Sequence, residues 1–308
     1  DNNVAIGKQA LDANTTADDN TAVGFASLGA NTTGCQNVSL GTESLKGNLT
    51  GDGNVAIGHL ALFTNNGSTP DFNVAVGRQA LYSTTTGYRN VALGLNAMYT
   101  ATTGYNNVGI GANVLYSNTT GYENVAIGEC AMYANTSQTA SANTAVGRAA
   151  LRENTSGIRN VALGRNAMCS NTTASDNIAI GFQAMCTNTT GISNVGIGRN
   201  ALFANTTGTR NTSVGFCALH ENTNNDNTAF GSSSLRDNTS GTKNVAIGPN
   251  AIRNGTTGDC NIAIGVSAMQ NSTTGNDNTA VGNAALQSNN TGCQNVAVGA
   301  LAGDAITT

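Results

Sequence analysis

Three stretches of the sequence repeat almost the same ten residues: residues 85–94 read TTGYRNVALG, residues 102–111 read TTGYNNVGIG and residues 119–128 read TTGYENVAIG. Their shared core is Asn, then Val, Ile or Thr, a small residue, an apolar residue and Gly. This marker occurs eighteen times, and fourteen of the seventeen intervals between its closing glycines are 17 residues; two are 19 and one is 16. A short period sustained along a chain is typical of a solenoid with stacked coils.

Each marker is predicted to form a strand, because larger residues alternate with a residue that is always Ala, Gly or Ser. We expect the larger residues, such as Val55 and Ile57, to fill the core. The small residue between them, such as Ala56, would then face a second backbone that approaches closely. An identical chain is the simplest source of that backbone, so the sequence predicts a homotrimer with closed cyclic symmetry. A monomeric solenoid with a very tight interior is the alternative.

The rest of the repeat predicts the other side of each coil. Gly lets the chain turn after the strand. Most coils then carry Ala-Leu or Ala-Met, as at Ala80-Leu81 and Ala167-Met168, which we expect to close the opposite wall, either as a strand or as a short helical turn. An Asn-Thr-Thr-Gly corner follows, and several of its Asn-Thr-Thr triplets are also formal glycosylation sequons.

The Asn that opens every marker predicts an internal ladder. Stacked at the spacing of neighbouring strands, identical amides can hydrogen-bond from coil to coil. A structural role is therefore expected for the whole column, including Asn3, Asn54, Asn90, Asn107, Asn124 and Asn244.

Composition argues against several functional classes. Charged residues are 10% of the chain and the net charge is −4, which does not favour nucleic acid or an anionic membrane as a partner. No run approaches the roughly 18 apolar residues that a membrane span needs. His59 and His220 lie many coils apart, so neither a metal site nor a Ser/His pair is expected. We expect no enzyme activity and no cofactor.

Aromatic residues are concentrated in one part of the array. All seven tyrosines lie between residues 82 and 133, and they fall into two columns that recur on consecutive coils. Stacked rings can stabilise neighbouring coils, whereas an exposed strip of tyrosine can contact a glycan or protein receptor. Both interpretations stay open for Tyr82, Tyr99, Tyr116 and Tyr133 and for Tyr88, Tyr105 and Tyr122.

Two of the seven cysteines occupy the same column in consecutive coils. Cys169 and Cys186 each lie five residues after a closing glycine. At about 4.8 Å between coils, their Cα atoms would fall within disulfide range. The alternatives are one intrachain bridge or two reduced thiols that act as small apolar residues.

The repeat resembles the head repeats of trimeric autotransporter adhesins and repeats of phage-type tail fibres. The resemblance rests on NVAIG at residues 3–7, 54–58, 124–128 and 244–248, NTAVG at 20–24, 143–147 and 278–282, NVGIG at 107–111 and 194–198, and NVALGRNAMCSNTT at 160–173. It implies a left-handed parallel β-roll, three chains side by side, and a fibre on a cell or virion surface that binds a host or partner cell. The 17-residue coil is longer than the adhesin-head repeat.

Together these features predict an all-β fold: one continuous parallel β-solenoid over residues 1–308, with about 18 coils, as a piece of a longer extracellular fibre protein. The leading functional hypothesis is an adhesive shaft or head that binds a glycan or cell-surface receptor. A self-assembling surface filament without a receptor, joined end to end, is the second. An ice-binding solenoid is the third, although adjacent threonines such as Thr119 and Thr120 would point to opposite sides of an extended segment.

Overall fold

The computed structural model describes residues 2–65, 71–136 and 140–307, and in these residues it contains short strands and turns but no helix. The chain divides into two compact units, Asp1–Ile158 and Arg159–Thr308. In the described residues of each unit, nine three-residue strands form a parallel sheet in which each strand pairs with the strand of the next marker. Each unit is therefore a parallel β-solenoid with one strand per coil.

The strands coincide with the sequence markers. In the first unit they are β1 Val4–Ile6, β2 Thr21–Val23, β3 Val38–Leu40, β4 Val55–Ile57, β5 Val74–Val76, β6 Val91–Leu93, β7 Val108–Ile110, β8 Val125–Ile127 and β9 Thr144–Val146. In the second unit they are β10 Val161–Leu163, β11 Ile178–Ile180, β12 Val195–Ile197, β13 Thr212–Val214, β14 Thr228–Phe230, β15 Val245–Ile247, β16 Ile262–Ile264, β17 Thr279–Val281 and β18 Val296–Val298.

Register is kept where the repeat changes length. Val55 pairs with Val74 and Val125 pairs with Thr144 across the two 19-residue intervals, and Thr212 pairs with Thr228 across the 16-residue interval. The changes in length therefore fall between strands. Residues 66–70 and 137–139, which lie within the two longer intervals, are outside the described residues.

The strands face the opposite way from the prediction. The small middle residue is buried in β2 to β18, whereas the larger residues on either side of it are partly or largely exposed, as with Leu40 at 46% and Ile127 at 37%. The expectation that Val and Ile fill the core is wrong, and so is the inference that the small column faces another chain. We call the two outward columns of each unit the sheet face.

The reason for this orientation lies in the opposite wall, which supplies the large core side chains. The residue four positions after the closing glycine is Leu or Met in sixteen of the eighteen coils, and it is fully buried in most of them, as at Leu45, Met98 and Leu115. Little space remains opposite these side chains: a Cβ added to Gly109 of β7 would lie 2.9 Å from Met98 Cε, and a Cβ added to Gly196 of β12 would lie 2.8 Å from Met185 Cγ. Only a small strand residue fits inside.

The opposite wall is a series of turns, neither a strand nor a helical turn. Its buried Leu or Met adopts a left-handed backbone conformation, with φ of 51° at Leu81, and so does the residue two positions earlier, with φ of 58° at Gln79. Backbone hydrogen bonds still join the coils along this wall, because Leu81 N donates to Ala97 O at 2.9 Å and Ser83 N donates to Tyr99 O at 3.1 Å. We call this segment the turn wall.

The closing glycine joins the two walls. Gly94, for example, has φ of 136°, and an added Cβ would meet the carbonyl oxygen of Gly111 in the next coil. Because any L side chain would be strained at this φ and would also clash with backbone, glycine is required at this point of the coil.

Candidate functional site

One aromatic column of the first unit forms a stack of five rings, which we call the long ladder. Phe63, Tyr82, Tyr99, Tyr116 and Tyr133 follow one another with ring centroids 5.0 to 5.2 Å apart and interplanar angles of 4 to 10°. At one end the Lys46 Nζ lies 5.8 Å from the centroid of Phe63. At the other end Tyr133 lines a shallow depression of about 300 Å³ together with Cys130, Ala134, Arg152 and Glu153.

The second column forms a stack of three rings, the short ladder. Tyr88, Tyr105 and Tyr122 have centroids 4.9 to 5.0 Å apart and are parallel to within 4°. The guanidinium carbon of Arg89 lies 5.7 Å from the centroid of Tyr88. Arg89 and its counterparts Asn106 and Glu123 are exposed. The short ladder therefore lies beside a column of polar side chains that could hydrogen-bond to a ligand.

The stacking determines what the tyrosines can bind. Each inner ring has a neighbouring ring on both faces, so the ring faces are occupied and only edges and hydroxyl groups point outward. A ligand that stacks on an aromatic face could reach only the end rings. A ligand that hydrogen-bonds to hydroxyl groups could instead contact a row of phenols repeating at the spacing of the coils.

Two inner rings, Tyr105 and Tyr116, have a raised pKa. Partial desolvation in the stack raises the pKa of Tyr105 above its ordinary value, and the neighbouring Tyr122, Tyr88 and Glu123 raise it further. Desolvation likewise raises the pKa of Tyr116, with smaller effects of Tyr133 and Tyr99. Both phenols are therefore neutral, and able to donate a hydrogen bond, at physiological pH.

The Asn column lies inside the coils and forms no part of a surface site. Asn107 N and Asn124 N donate to the side-chain Oδ1 of Asn90 and Asn107, one coil earlier, at 3.0 Å in both cases. Asn54 and Asn244 accept the same bond from Asn73 and Asn261, and Asn3 accepts it from Asn20. Each of these bonds joins a backbone N–H to the side-chain oxygen of the preceding coil. In several coils the side-chain Nδ2 also donates to that oxygen, as Asn107 Nδ2 does to Asn90 Oδ1 at 3.1 Å, so the predicted bonding between stacked amides is present.

The Asn of each corner is held in the same way. Asn188 Nδ2, for example, donates to Gly191 O at 3.0 Å and to Asn171 Oδ1 at 3.3 Å, and Asn188 is fully buried. In the folded chain the amide nitrogen of such a sequon is inaccessible to a glycosylating enzyme.

One corner replaces the usual glycine carbonyl by a buried carboxylate. The Oδ2 atom of Asp71 accepts hydrogen bonds from Asn65 Nδ2 at 2.7 Å and from Asn54 Nδ2 at 3.3 Å, the roles that Gly34 O has for Asn31 and Asn20. Burial raises the pKa of Asp71, while the two amides oppose that shift.

The described residues contain no group of three or more His, Cys, Asp or Glu side chains that could hold a metal ion. Cys186 is buried, and Cys169 Sγ donates to Cys186 O at 3.4 Å in the next coil, so the two side chains are neighbours as their spacing predicts. A disulfide between them stays a prediction. His220 stacks on Phe203 with centroids 5.1 Å apart and contacts Glu221 through Nδ1. None of the described residues forms a helix that could cross a membrane.

Sequence reasoning missed the sheet face. All 36 outward positions of the eighteen markers are Val, Ile, Leu, Phe or Thr, and none carries a charge. Two signals could have identified it: the inner column never holds a large residue, while the facing position of the turn wall holds Leu, Met or Ile in seventeen of the eighteen coils. Because the coil is thin, it limits the combined volume of the inner strand residue and the turn-wall residue that faces it.

Searches of protein-family models and of curated proteins give no match to this chain.

Proposed function

We propose that this chain is the shaft or head of an extracellular adhesive fibre, assembled as a homotrimer and displayed on a cell or virion surface. The observation that carries the proposal is the sheet face: two columns of Val, Ile, Leu, Phe and Thr that continue through every coil of both units without a charge. Exposed apolar surface of this extent is typical of a face that another protein covers.

An identical chain suits this face better than an unrelated partner. The face repeats with the period of the coils, so a second copy in the same register offers the same apolar row at the same spacing. Three copies around an axis parallel to the strand stack would bury all three faces by closed symmetry. A left-handed coil, as the adhesin resemblance implies, belongs to the same proposal.

Charge placed on the sheet face tests the assembly. Light scattering should give about 93 kDa for the unaltered protein, three times the 31.0 kDa chain. The variant with Leu93→Lys and Ile127→Lys should give the mass of one chain and keep its β-type circular dichroism, because buried ammonium groups prevent contact. The matched control is Asn106→Lys with Glu123→Lys, in a column that already holds Lys243. A monomeric unaltered protein would contradict the proposal.

The short ladder is the proposed receptor contact, through its hydroxyl groups and ring edges. The long ladder is a second candidate surface, with Tyr133 as its most exposed ring. Tyrosine is enriched where proteins bind because it combines apolar area with a hydrogen-bonding tip. A glycan or a protein with hydrogen-bonding groups at a short repeat would fit such a row.

Two triple variants separate recognition from stacking. Replacing Tyr88, Tyr105 and Tyr122 by Phe keeps the rings and removes the hydroxyl groups; replacing them by Ser removes both. We expect both variants to remain trimers and to lose attachment to immobilised glycans, matrix proteins or cells that the unaltered protein binds. If the Ser variant has a lower melting temperature but both variants still attach, the ladder is structural. A trimer that attaches to none of these surfaces would favour the filament without a receptor.

A further inference from the structure

A different ladder lies in the second unit, at the residue that follows the closing glycine. Arg165, Phe182, Arg199 and Phe216 occupy this position in four consecutive coils. The Cζ atom of Arg165 lies 5.9 Å from the ring centroid of Phe182, and Arg199 Cζ lies 5.8 Å from Phe182 and 5.8 Å from Phe216. Cations and rings therefore alternate, with spacings at which cation–π attraction operates. We call this column the arginine–phenylalanine ladder.

The two arginines differ from other exposed arginines of the same unit. Arg159 pairs with Asp176 and Arg210 pairs with Asp226, each through two short hydrogen bonds that neutralise the guanidinium. In the part of the chain that the structure describes, no carboxylate lies within ion-pair distance of Arg165 or Arg199. Their N–H groups are positioned by the rings and remain available to an anion from outside the chain.

We infer that the arginine–phenylalanine ladder binds a linear anionic polysaccharide. A guanidinium matches a sulfate or carboxylate group with two parallel hydrogen bonds. Arg165 and Arg199 are two coils apart, roughly 10 Å at the usual strand spacing. A linear polysaccharide whose acidic groups repeat with each disaccharide unit, as in heparin, presents equivalent charges at a comparable interval. Asn166 and Gln183, one position further along their coils and partly exposed, supply amides for sugar hydroxyl groups.

The geometry disfavours single-stranded nucleic acid, the other common polyanion. Such strands bind where bases stack on open aromatic faces within a positive groove. Phe182 has an arginine over each face, so no base can stack there. Residues 159–308 contain seven Lys and Arg and seven Asp and Glu, so the unit has no general positive field. Recognition must come from the two guanidinium groups at short range.

The ladder is accessible and separate from the surfaces already described. Phe182 is 39% exposed and Phe216 is 50% exposed. The column begins after the closing glycine, so it lies beyond the strand and off the sheet face. It is also in the unit that carries no tyrosine. Polysaccharide binding at this ladder is therefore a separate proposal from the receptor contact at the short ladder and from the trimer. Its test can give a positive or a negative result whatever the outcome for those two.

The experiment measures binding of the full chain to immobilised heparin, with neutral dextran and single-stranded oligo(dT) as comparison surfaces. We expect the unaltered protein to bind heparin and neither of the others, and to release it at about 1 M salt, where charges are screened within a few ångströms. The variant with Arg165→Gln and Arg199→Gln should bind at least about tenfold more weakly, because two charge-assisted contacts are lost.

Two further variants make the test specific. Arg159→Gln with Arg210→Gln removes the same charge from the same unit and should leave heparin binding unchanged. Phe182→Leu keeps both charges but removes the ring between them, and should weaken binding while leaving the mass and circular dichroism unchanged. The inference is overturned if the unaltered protein does not bind heparin, if the Arg159 and Arg210 variant loses binding equally, or if oligo(dT) binds as tightly.

Discussion

Leu40 and Leu45 lie five residues apart in one coil, yet Leu40 is 46% exposed and Leu45 is fully buried. The first lies on strand β3 and the second on the turn wall. This difference shows that a position on a strand does not by itself place a large apolar residue in the core. In so thin a coil one wall supplies the large side chains, and here it is the wall without strands. The other wall is left with large residues outside.

The largest expected effect comes from truncating this matched pair. Leu45→Ala should lower the free energy of unfolding by about 2–5 kcal/mol, the usual cost of a cavity at a buried leucine. Leu40→Ala, measured in the Leu93→Lys and Ile127→Lys variant that keeps chains apart, should cost less than about 1 kcal/mol. Chemical denaturation of both proteins gives the comparison. Equal losses would mean that Leu40 is also a core residue of the single chain.

The coil with Gly109 and Val114 tests whether the inner strand residue and the facing turn-wall residue limit each other in size. Most coils carry Ala at both positions, such as Ala92 and Ala97. Gly109→Ala should destabilise by about 1–3 kcal/mol through overpacking against Val114 and Met98. Val114→Ala alone should destabilise through a cavity. The double variant restores the common pair, so it should be more stable than the sum of the single effects predicts; additive losses in a double-mutant cycle would disprove contact across the coil.

The left-handed backbone of the turn wall gives a smaller, favourable effect. Ile252 has φ of 46° at a position where sixteen other coils have Leu or Met. A β-branched residue is strained in this conformation, so Ile252→Leu should raise the free energy of unfolding by about 1 kcal/mol. Ile252→Val keeps the branch at Cβ and is the control, with no gain expected. A loss of stability in Ile252→Leu would show that packing shape outweighs backbone strain at this site.

The smallest expected effect is the pH dependence of the tyrosine ladders. The pKa values of Tyr105 and Tyr116 are raised above 10.0 in the folded chain, so the folded state holds these protons more tightly than the unfolded state. Their contribution to stability is complete below pH 10 and is lost as the pH rises through the raised values. Thermal unfolding should be measured between pH 9 and pH 11, in steps of about one unit around the ordinary pKa of tyrosine. The melting temperature should fall over this range, and the Tyr105→Phe with Tyr116→Phe variant should show a smaller fall. An identical decline in both proteins would assign it to other groups.

Much of this architecture follows from the sequence, because a fixed period places equivalent residues on consecutive coils. The positions of the strands, the adjacency of Cys169 and Cys186 and the stacking of the tyrosines all depend only on the period. The burial of the Asn column follows from its presence in every coil together with the need to pair buried amides.

The orientation of the strands could not be obtained in that way. Alternation distinguishes two faces of a strand but does not say which one is inside, and the usual rule that larger apolar residues are buried gave the wrong answer for Leu40 and Ile127. The decision depends on the width of the coil, which Leu45 and its counterparts set from the other wall. The left-handed φ values of those residues could not be predicted either, because an Ala-Leu or Ala-Met pair also fits a helix or a strand.

The alternating column of Arg165, Phe182, Arg199 and Phe216 was overlooked for a different reason. Its members share no chemical type, so a search for conserved columns within the repeat passes over them. Only the distances between guanidinium groups and rings show that they form one structure.

The sheet face is apolar and lies outside each coil, and in the assembly that we propose other copies of the chain cover it. The most direct test is the dependence of the unfolding midpoint on protein concentration, measured for the unaltered protein and for the Leu93→Lys and Ile127→Lys variant. Association stabilises the folded state by mass action, so this assembly predicts a midpoint that rises with concentration for the unaltered protein and stays constant for the variant. A midpoint independent of concentration in the unaltered protein would contradict it.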